Sequence, residues 1–97
     1  MANFILSYDL NGPAPSHRQV DEHLAKLPAK RARILETVWY VAFDGDAGSL
    51  HAYLRRILSP NDQSIVVEAK EAAWRNLLVR DDALLSTWEQ SRYGHAA

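Results

Sequence analysis

The residue best placed to do chemistry in this sequence is Asp9, which directly follows a mostly apolar run at residues 4–8. Such a run predicts a buried strand, so Asp9 is expected at the strand's carboxyl end, where a rigid sheet can present its side chain. One interpretation is a carboxylate that binds a metal ion. The other is a turn-forming aspartate that accepts hydrogen bonds from the backbone of Asn11 and Gly12. One carboxylate cannot hold Mg²⁺, which takes six oxygen ligands and usually keeps several as water, so two copies of Asp9 brought together across a two-fold axis would make a better site.

The densest basic stretch contains Lys30, Arg31 and Arg33. These side chains are suited to contact the phosphates of a nucleic acid. The alternative is a strand edge that carries charge and so avoids pairing with other strands. Both interpretations stay open at this stage.

The remaining candidates carry less chemistry. The four histidines, His17, His23, His51 and His95, lack the spacing of a two-histidine metal motif and are expected on the solvated surface, although His51 could approach a bound phosphate. The chain has no cysteine, which excludes disulfides and thiolate metal sites.

The apolar periodicity predicts the elements that position these residues. Strand one is followed by a helix that begins at Ser16, where Gln19 completes a capping box. Residues 34–43 are β-branched and aromatic, and are predicted as two strands joined by a tight turn or bulge near Glu36 and Thr37, with one long bent strand as the alternative. A second helix is predicted from Ser49 as its N-cap, with leucines at positions 50, 54 and 58 on its apolar face.

The rest of the chain is predicted as one more strand and a helical tail. Residues 64–68 form the last strand of the core, and the pattern from Ala69 onward becomes helical: one apolar stripe contains Trp74 and Leu77, and a final helix begins near Asp81. Residues 94–97 are expected to fray.

This order predicts an α+β domain, a ferredoxin-like βαββαβ sandwich with a C-terminal helical extension. Residues 1–68 form the core, and residues 69–97 form the extension of the same domain. Right-handed crossovers place both core helices on one face of the sheet. The other face must be covered by the extension or by a second copy of the chain, because large apolar patches are rarely left in water. A homodimer is therefore expected.

Composition limits the class of protein. The 97 residues are enough for one core, and the net charge of −1 means that nucleic acid could be held only by a local patch. The first residues lack the basic segment of a signal peptide, and no apolar stretch approaches a membrane span. These features predict a soluble protein of a reducing, cytoplasmic compartment with no membrane partner.

Three short segments resemble a known family: Tyr8-Asp9-Leu10, Thr37-Val38-Trp39, and Asp62 to Val67. In this order they resemble the small CRISPR-associated "Cas-two" endonucleases of the spacer-acquisition complex, over about residues 3–68. The chain is also similar to small bacterial proteins that carry a SinR-like label. The resemblance implies a ferredoxin-like homodimer in which Asp9 is the catalytic, metal-binding residue, with Mg²⁺ or Mn²⁺ activating water. It also implies a supporting polar role for Ser64.

The resemblance stops at the tail. Family members usually add a strand after the fourth, which pairs across the dimer and helps dock an integrase, whereas residues 69–93 here are predicted as helices. This departure argues against an integrase partner. Two functions remain: a dimeric metal-dependent endonuclease acting on RNA or DNA, with Lys30, Arg31 and Arg33 binding the strand, or a non-catalytic dimeric adaptor. The related VapD-type toxin ribonucleases are a third possibility.

Overall fold

A computed structural model describes the backbone of residues 1–93 and the side chains of residues 1–89. The core elements follow the predicted order, and a third helix begins at Asp81, where a final helix was predicted. The strands are β1 (Ala2–Asp9), β2 (Lys30–Leu35), β3 (Val38–Phe43) and β4 (Gln63–Glu68). The helices are α1 (His17–Ala25), α2 (Ala47–Arg55) and α3 (Asp81–Tyr93).

The strands form one four-stranded sheet in the order β2-β3-β1-β4, in which every neighbouring pair is antiparallel. Helix α1 connects β1 to β2, and β3 lies between these two strands in the sheet. Helix α2 connects β3 to β4, and β1 lies between those two. These are two split βαβ units. The chain is therefore a small α+β domain whose topology is compatible with a ferredoxin-like fold.

The first face of the sheet carries the main hydrophobic core. Because side chains alternate along a strand, Phe4, Leu6 and Tyr8 of β1 point to this face, where α1 and α2 pack. The helices contribute fully buried side chains at Val20, Leu24, Leu50 and Leu54. Leu50 and Leu54 confirm the apolar face that the leucine spacing predicted for α2.

The tail covers part of the second face. Asn3 is buried there: its Nδ2 donates to the Trp88 carbonyl at 3.2 Å, and its Oδ1 accepts from the Tyr40 hydroxyl at 2.6 Å. The Trp88 ring stacks on Tyr40 with centroids 5.5 Å apart, and Leu84 is buried beside them. This half of the face is closed by the chain itself.

Local predictions had mixed outcomes. The capping box of Ser16 and Gln19 and the turn at Glu36 and Thr37 are confirmed. The cap of α2 was predicted wrongly: Asp46 is the N-cap, and it accepts hydrogen bonds from both the N–H and the hydroxyl of Ser49 at 2.7 Å. Asp46 is therefore bonded within its own helix end.

The tail is less helical than predicted. Residues 69–80 are irregular rather than helical, with Asn76 at a positive φ of 55°. Backbone bonds attach this segment at both ends, from Ala69 N to Asn3 O at 2.9 Å and from Leu78 N to Ile34 O at 3.0 Å. The segment therefore crosses the sheet as an extended strap, and helix formation begins only at α3. The predicted fraying at residues 94–97 lies outside the described residues.

None of the helices in the described part of the chain is both long enough and apolar enough to cross a membrane.

Removing a core leucine should test the packing of α2. Leu54 is 0% exposed between helix and sheet, so Leu54→Ala should lower the free energy of unfolding by about 2–5 kcal/mol through lost burial and a residual cavity. Urea unfolding measures this change. Leu85→Ala, at a position 50% exposed on α3, is the matched control and should change stability by under about 1 kcal/mol. Equal effects of the two substitutions would contradict the packing described here.

Candidate functional site

Asp9 lies at the end of β1, opposite Gln63 of β4. Its side chain is exposed on the second face of the sheet, beside a groove of about 170 Å³ lined by residues 7–9 and 63–65. Among the described residues its carboxylate has no hydrogen-bond or ion-pair partner. Asp9 is thus free to bind a ligand, as the metal interpretation requires.

The turn beside Asp9 is held by a different carboxylate, Asp62. Its Oδ1 accepts from the Asn11 N–H at 2.7 Å, and its Oδ2 accepts from the Ser59 N–H at 2.7 Å. These bonds stabilise the charged form and hold the pKa of Asp62 below its usual value. The turn interpretation expected the Asn11 backbone N–H to donate to the Asp9 side chain. This was wrong, because that N–H donates to Asp62. The sequence did not indicate this role of Asp62, because its donor Asn11 lies 51 residues away along the chain.

The basic residues are not brought to Asp9 within one chain. Lys30 pairs with Ala42 in β2–β3, in the same row as Asn3, so it lies roughly 20 Å along the sheet from Asp9. Arg33 aligns with Leu6, roughly 10 Å along and two strands across. Arg31 and Arg33 also project from the helical side of the sheet by strand alternation, whereas Asp9 projects from the other side. A strand of nucleic acid bound by these residues would not place a phosphate on the Asp9 of the same chain.

Next to Asp9 the second face is uncovered. Four exposed residues, which we call the open strip, lie here: Asp9, Gln63, Ile65 and Val67. Ile65 is 59% exposed and Val67 is 43% exposed. Large β-branched side chains on a sheet usually pack against something. The open strip is therefore the part of the second face that the tail does not protect.

His51 contacts the opposite side of β4. Its Nε2 is 2.8 Å from Ser64 Oγ, at the wall of a cavity of about 400 Å³ that Arg55 and Asp62 also line. A serine hydrogen-bonded to a histidine is the geometry of an activated nucleophile, but no third group orients the His51 ring among the described residues. The contact therefore serves to fasten α2 to β4.

Two of the histidines predicted to be solvated are in fact partly buried. His51 is one, and His23 is the other: its ring stacks on Tyr53 with centroids 4.2 Å apart, and its Nε2 is 2.6 Å from the Tyr53 carbonyl. The prediction was wrong because both residues lie on helix flanks that face a neighbouring element. His17 is exposed as predicted, and His95 lies outside the described residues.

The donor set for a metal ion is incomplete in one chain. No cluster of three or more histidine, cysteine or acidic side chains suited to a metal exists in the described part of the chain. Asp9 is a hard oxygen ligand of the type Mg²⁺ and Mn²⁺ prefer, but a single carboxylate does not make a site. Such a cofactor would need oxygen ligands from elsewhere, a second copy or the substrate.

Searches of protein-family models, curated proteins and solved structures find no match to this chain.

Acid should loosen the turn beside Asp9. Because the pKa of Asp62 is depressed in the folded chain, its contribution to stability is present above the unfolded value of about 3.9 and is lost as pH falls through the lower folded value. Asp62→Ala should remove this part of the acid destabilisation and speed hydrogen exchange at the Asn11 and Ser59 amides. Exchange measured at pH 7 and urea unfolding between pH 3 and pH 7 test it. Asp44→Ala, at an exposed position, is the control, and an identical pH profile for the two variants would contradict the assignment.

Proposed function

We propose that this chain is a ferredoxin-like protein that functions as a homodimeric, non-catalytic module, with the fold of the "Cas-two" proteins but without a complete metal site of its own. The observation that supports the proposal is the β4 edge with its open strip. A single chain leaves Ile65 and Val67 in water next to a strand edge that has no partner among the described residues. A second copy of the chain is the occupant that this surface fits best.

The two edges of the sheet differ in a way that supports this choice. β2 carries Lys30, Arg31 and Arg33, all exposed, and its register shifts between Arg33 and Leu35. Charges and bulges on an edge strand prevent pairing with another strand. β4 has neither lysine, proline nor a register shift, and its one charge is Glu68 at the end. Edge protection at β2 accounts for the three cations without a nucleic acid.

A charge in the open strip should prevent dimerisation. Ile65→Lys places a desolvated, repelling charge in each copy of the contact, so the dissociation constant should rise by roughly tenfold or more. Leu78→Lys is the matched control, since Leu78 is equally exposed at 59% but lies at the β2 side of the sheet. Sedimentation equilibrium over a wide range of chain concentrations measures both. A monomer at every concentration, or a dimer that Ile65→Lys leaves intact, would overturn the proposal.

One observation favours a second function, a metal-dependent endonuclease. The Asp9 carboxylate is exposed and unbonded at the end of a rigid central strand, which is where the family resemblance requires a metal ligand. In this alternative the dimer would bring Asp9 from each copy to one Mg²⁺ or Mn²⁺ ion, which activates water for attack on RNA or DNA. Lys30, Arg31 and Arg33 of a neighbouring copy would then hold the strand.

Cleavage assays separate the two functions. If the endonuclease proposal holds, labelled RNA or DNA is cut with Mg²⁺ or Mn²⁺, EDTA stops the reaction, and Asp9→Asn slows it by roughly 100-fold or more, because even outer-shell changes at metal sites cost up to that much. Asp44→Asn, an exposed acid near Met1 at the other end of the sheet, should leave the rate unchanged. Absence of cleavage from a chain that is dimeric supports the non-catalytic module. Cleavage that survives Asp9→Asn removes Asp9 from the mechanism.

A further inference from the structure

The backbone groups that β4 offers to a partner follow from its pairing with β1. Ala69 continues the β1–β4 register opposite Asn3, and its N–H donates to the Asn3 carbonyl at 2.9 Å. In antiparallel strands, opposite residues alternate between bonded and non-bonded pairs. Gln63, Ile65 and Val67 therefore bond inward to β1. The N–H and C=O groups of Ser64, Val66 and Glu68 point outward, and no described backbone group bonds to them from that side.

Deepening the function proposed above, on which this inference rests, we propose that two copies join β4 to β4 in antiparallel register, with Val66 facing Val66 of the second copy on a two-fold axis. Val66 then forms a hydrogen-bonded pair with Val66 of the second copy. Ser64 of each copy forms a hydrogen-bonded pair with Glu68 of the other copy. Three pairs of two bonds give about six backbone hydrogen bonds, and every outward group of β4 is used. The two sheets become one of eight strands.

Neighbouring registers satisfy the edge less well. A two-fold axis normal to the sheet keeps the open strips of both copies on the same face. The competing registers with this symmetry place the axis at Ile65 or at Val67. Either one gives only about four bonds between the outward groups of the two strands. Centring on Ile65 also places Glu68 opposite Asp62 of the second copy, which sets like charges against each other. The register centred on Val66 avoids this opposition.

Side chains on both faces fit the same register. On the open strip, Ile65 of each copy lies opposite Val67 of the other, so these two exposed apolar side chains of β4 cover each other. On the helical side, Val66 meets its counterpart beside the main core. Glu68 lies opposite Ser64 of the second copy, next to the His51 that is hydrogen-bonded to it. No like charges oppose one another within the paired segment.

This register has a consequence for Asp9. Asp9 lies one strand inward from β4 and three residues along from the row of Val66, so the two Asp9 Cα atoms are roughly 25 Å apart. Carboxylates that share one ion must both lie within about 2.6 Å of it. A dimer joined in this register therefore cannot form a shared Asp9 metal site, which sets it apart from the endonuclease dimer.

The contact is small, so the dimer should be weak. Five overlapping residues a side fall well short of the roughly 20–30 residues a side of a standard interface. We expect a dissociation constant on the order of micromolar or weaker. The experiments therefore need chain concentrations up to about a millimolar.

Cysteine cross-linking distinguishes the registers, because the chain has no cysteine of its own. Ile65→Cys and Val67→Cys are made separately, and one of them carries a tag that changes its size. In the Val66 register, position 65 lies about 4.5 Å from position 67 of the second copy between Cα atoms, but about 7–8 Å from its own counterpart. A disulfide needs Cα atoms within about 7 Å. The mixed pair should therefore cross-link at least about tenfold faster in a redox buffer than either variant alone.

Each outcome decides something. Fast cross-linking of Ile65→Cys alone would move the axis to Ile65, and fast cross-linking of Val67→Cys alone would move it to Val67; either overturns the register and leaves the dimer in place. A chain that sedimentation shows to be dimeric but that forms no cross-link in the mixture uses another surface, which overturns this inference while the homodimeric module stands. A monomer throughout overturns both. Leu78→Cys is the control for random collision and should cross-link slowly in every mixture.

Discussion

Asn3 determines which half of the second sheet face the chain can cover for itself. The buried side-chain amide of Asn3 donates to the Trp88 backbone carbonyl and accepts from the Tyr40 hydroxyl. The backbone carbonyl of Asn3 accepts from the Ala69 N–H. A buried amide costs free energy unless its donors and acceptors are satisfied, so these bonds fix the tail at this end of the sheet. The strap then leaves toward β2, and the far end of β1 and the whole of β4 remain uncovered. The open strip is the direct result.

The position of Asp9 follows from the same arrangement. β1 is a central strand, and its last residue emerges at the end of the sheet that the tail does not reach. The free carboxylate makes Asp9 a credible ligand, yet the described part of a single chain supplies no companion for it. Arg31 and Arg33 project from the opposite face, and Lys30 lies at the far end of the same face. Geometry within one chain therefore favours an association surface over a catalytic centre.

Periodicity predicted the parts of the fold in which local pattern and burial agree. The spacing of Leu50 and Leu54 marked the face of α2, Ser16 and Gln19 marked the start of α1, and the β-branched run at residues 34–43 was correctly divided at Glu36 and Thr37. The α+β class and the order of the core elements followed from these. A second apolar face in need of cover was also predictable, because β3 is apolar at nearly every position.

Tertiary contacts decided the parts that the sequence did not show. Residues 69–80 have helix-forming composition, but the Ala69 and Leu78 N–H groups donate to Asn3 and Ile34 of the sheet, so these contacts replace bonds that a helix would make within the segment. Asp46 precedes Ser49 by three residues, and either could cap α2; only the backbone geometry selects Asp46. At the candidate site, Asp9 was located correctly, but Asp62 and the contact of His51 with Ser64 depend on residues distant in sequence. Patterns along the chain do not carry that information.

The unequal edges of the sheet also limit how large an assembly can become. A sheet whose two edge strands can both pair with other copies can keep adding copies and grow into a fibre. In the proposed dimer, the register shift and cations of β2 disfavour pairing at one edge of the sheet, and β4 at the other edge is already paired with its counterpart. The proposed assembly would therefore stop at two copies. The register shift beside Arg33 and the cations of β2 would together keep the proposed assembly from growing into an aggregate.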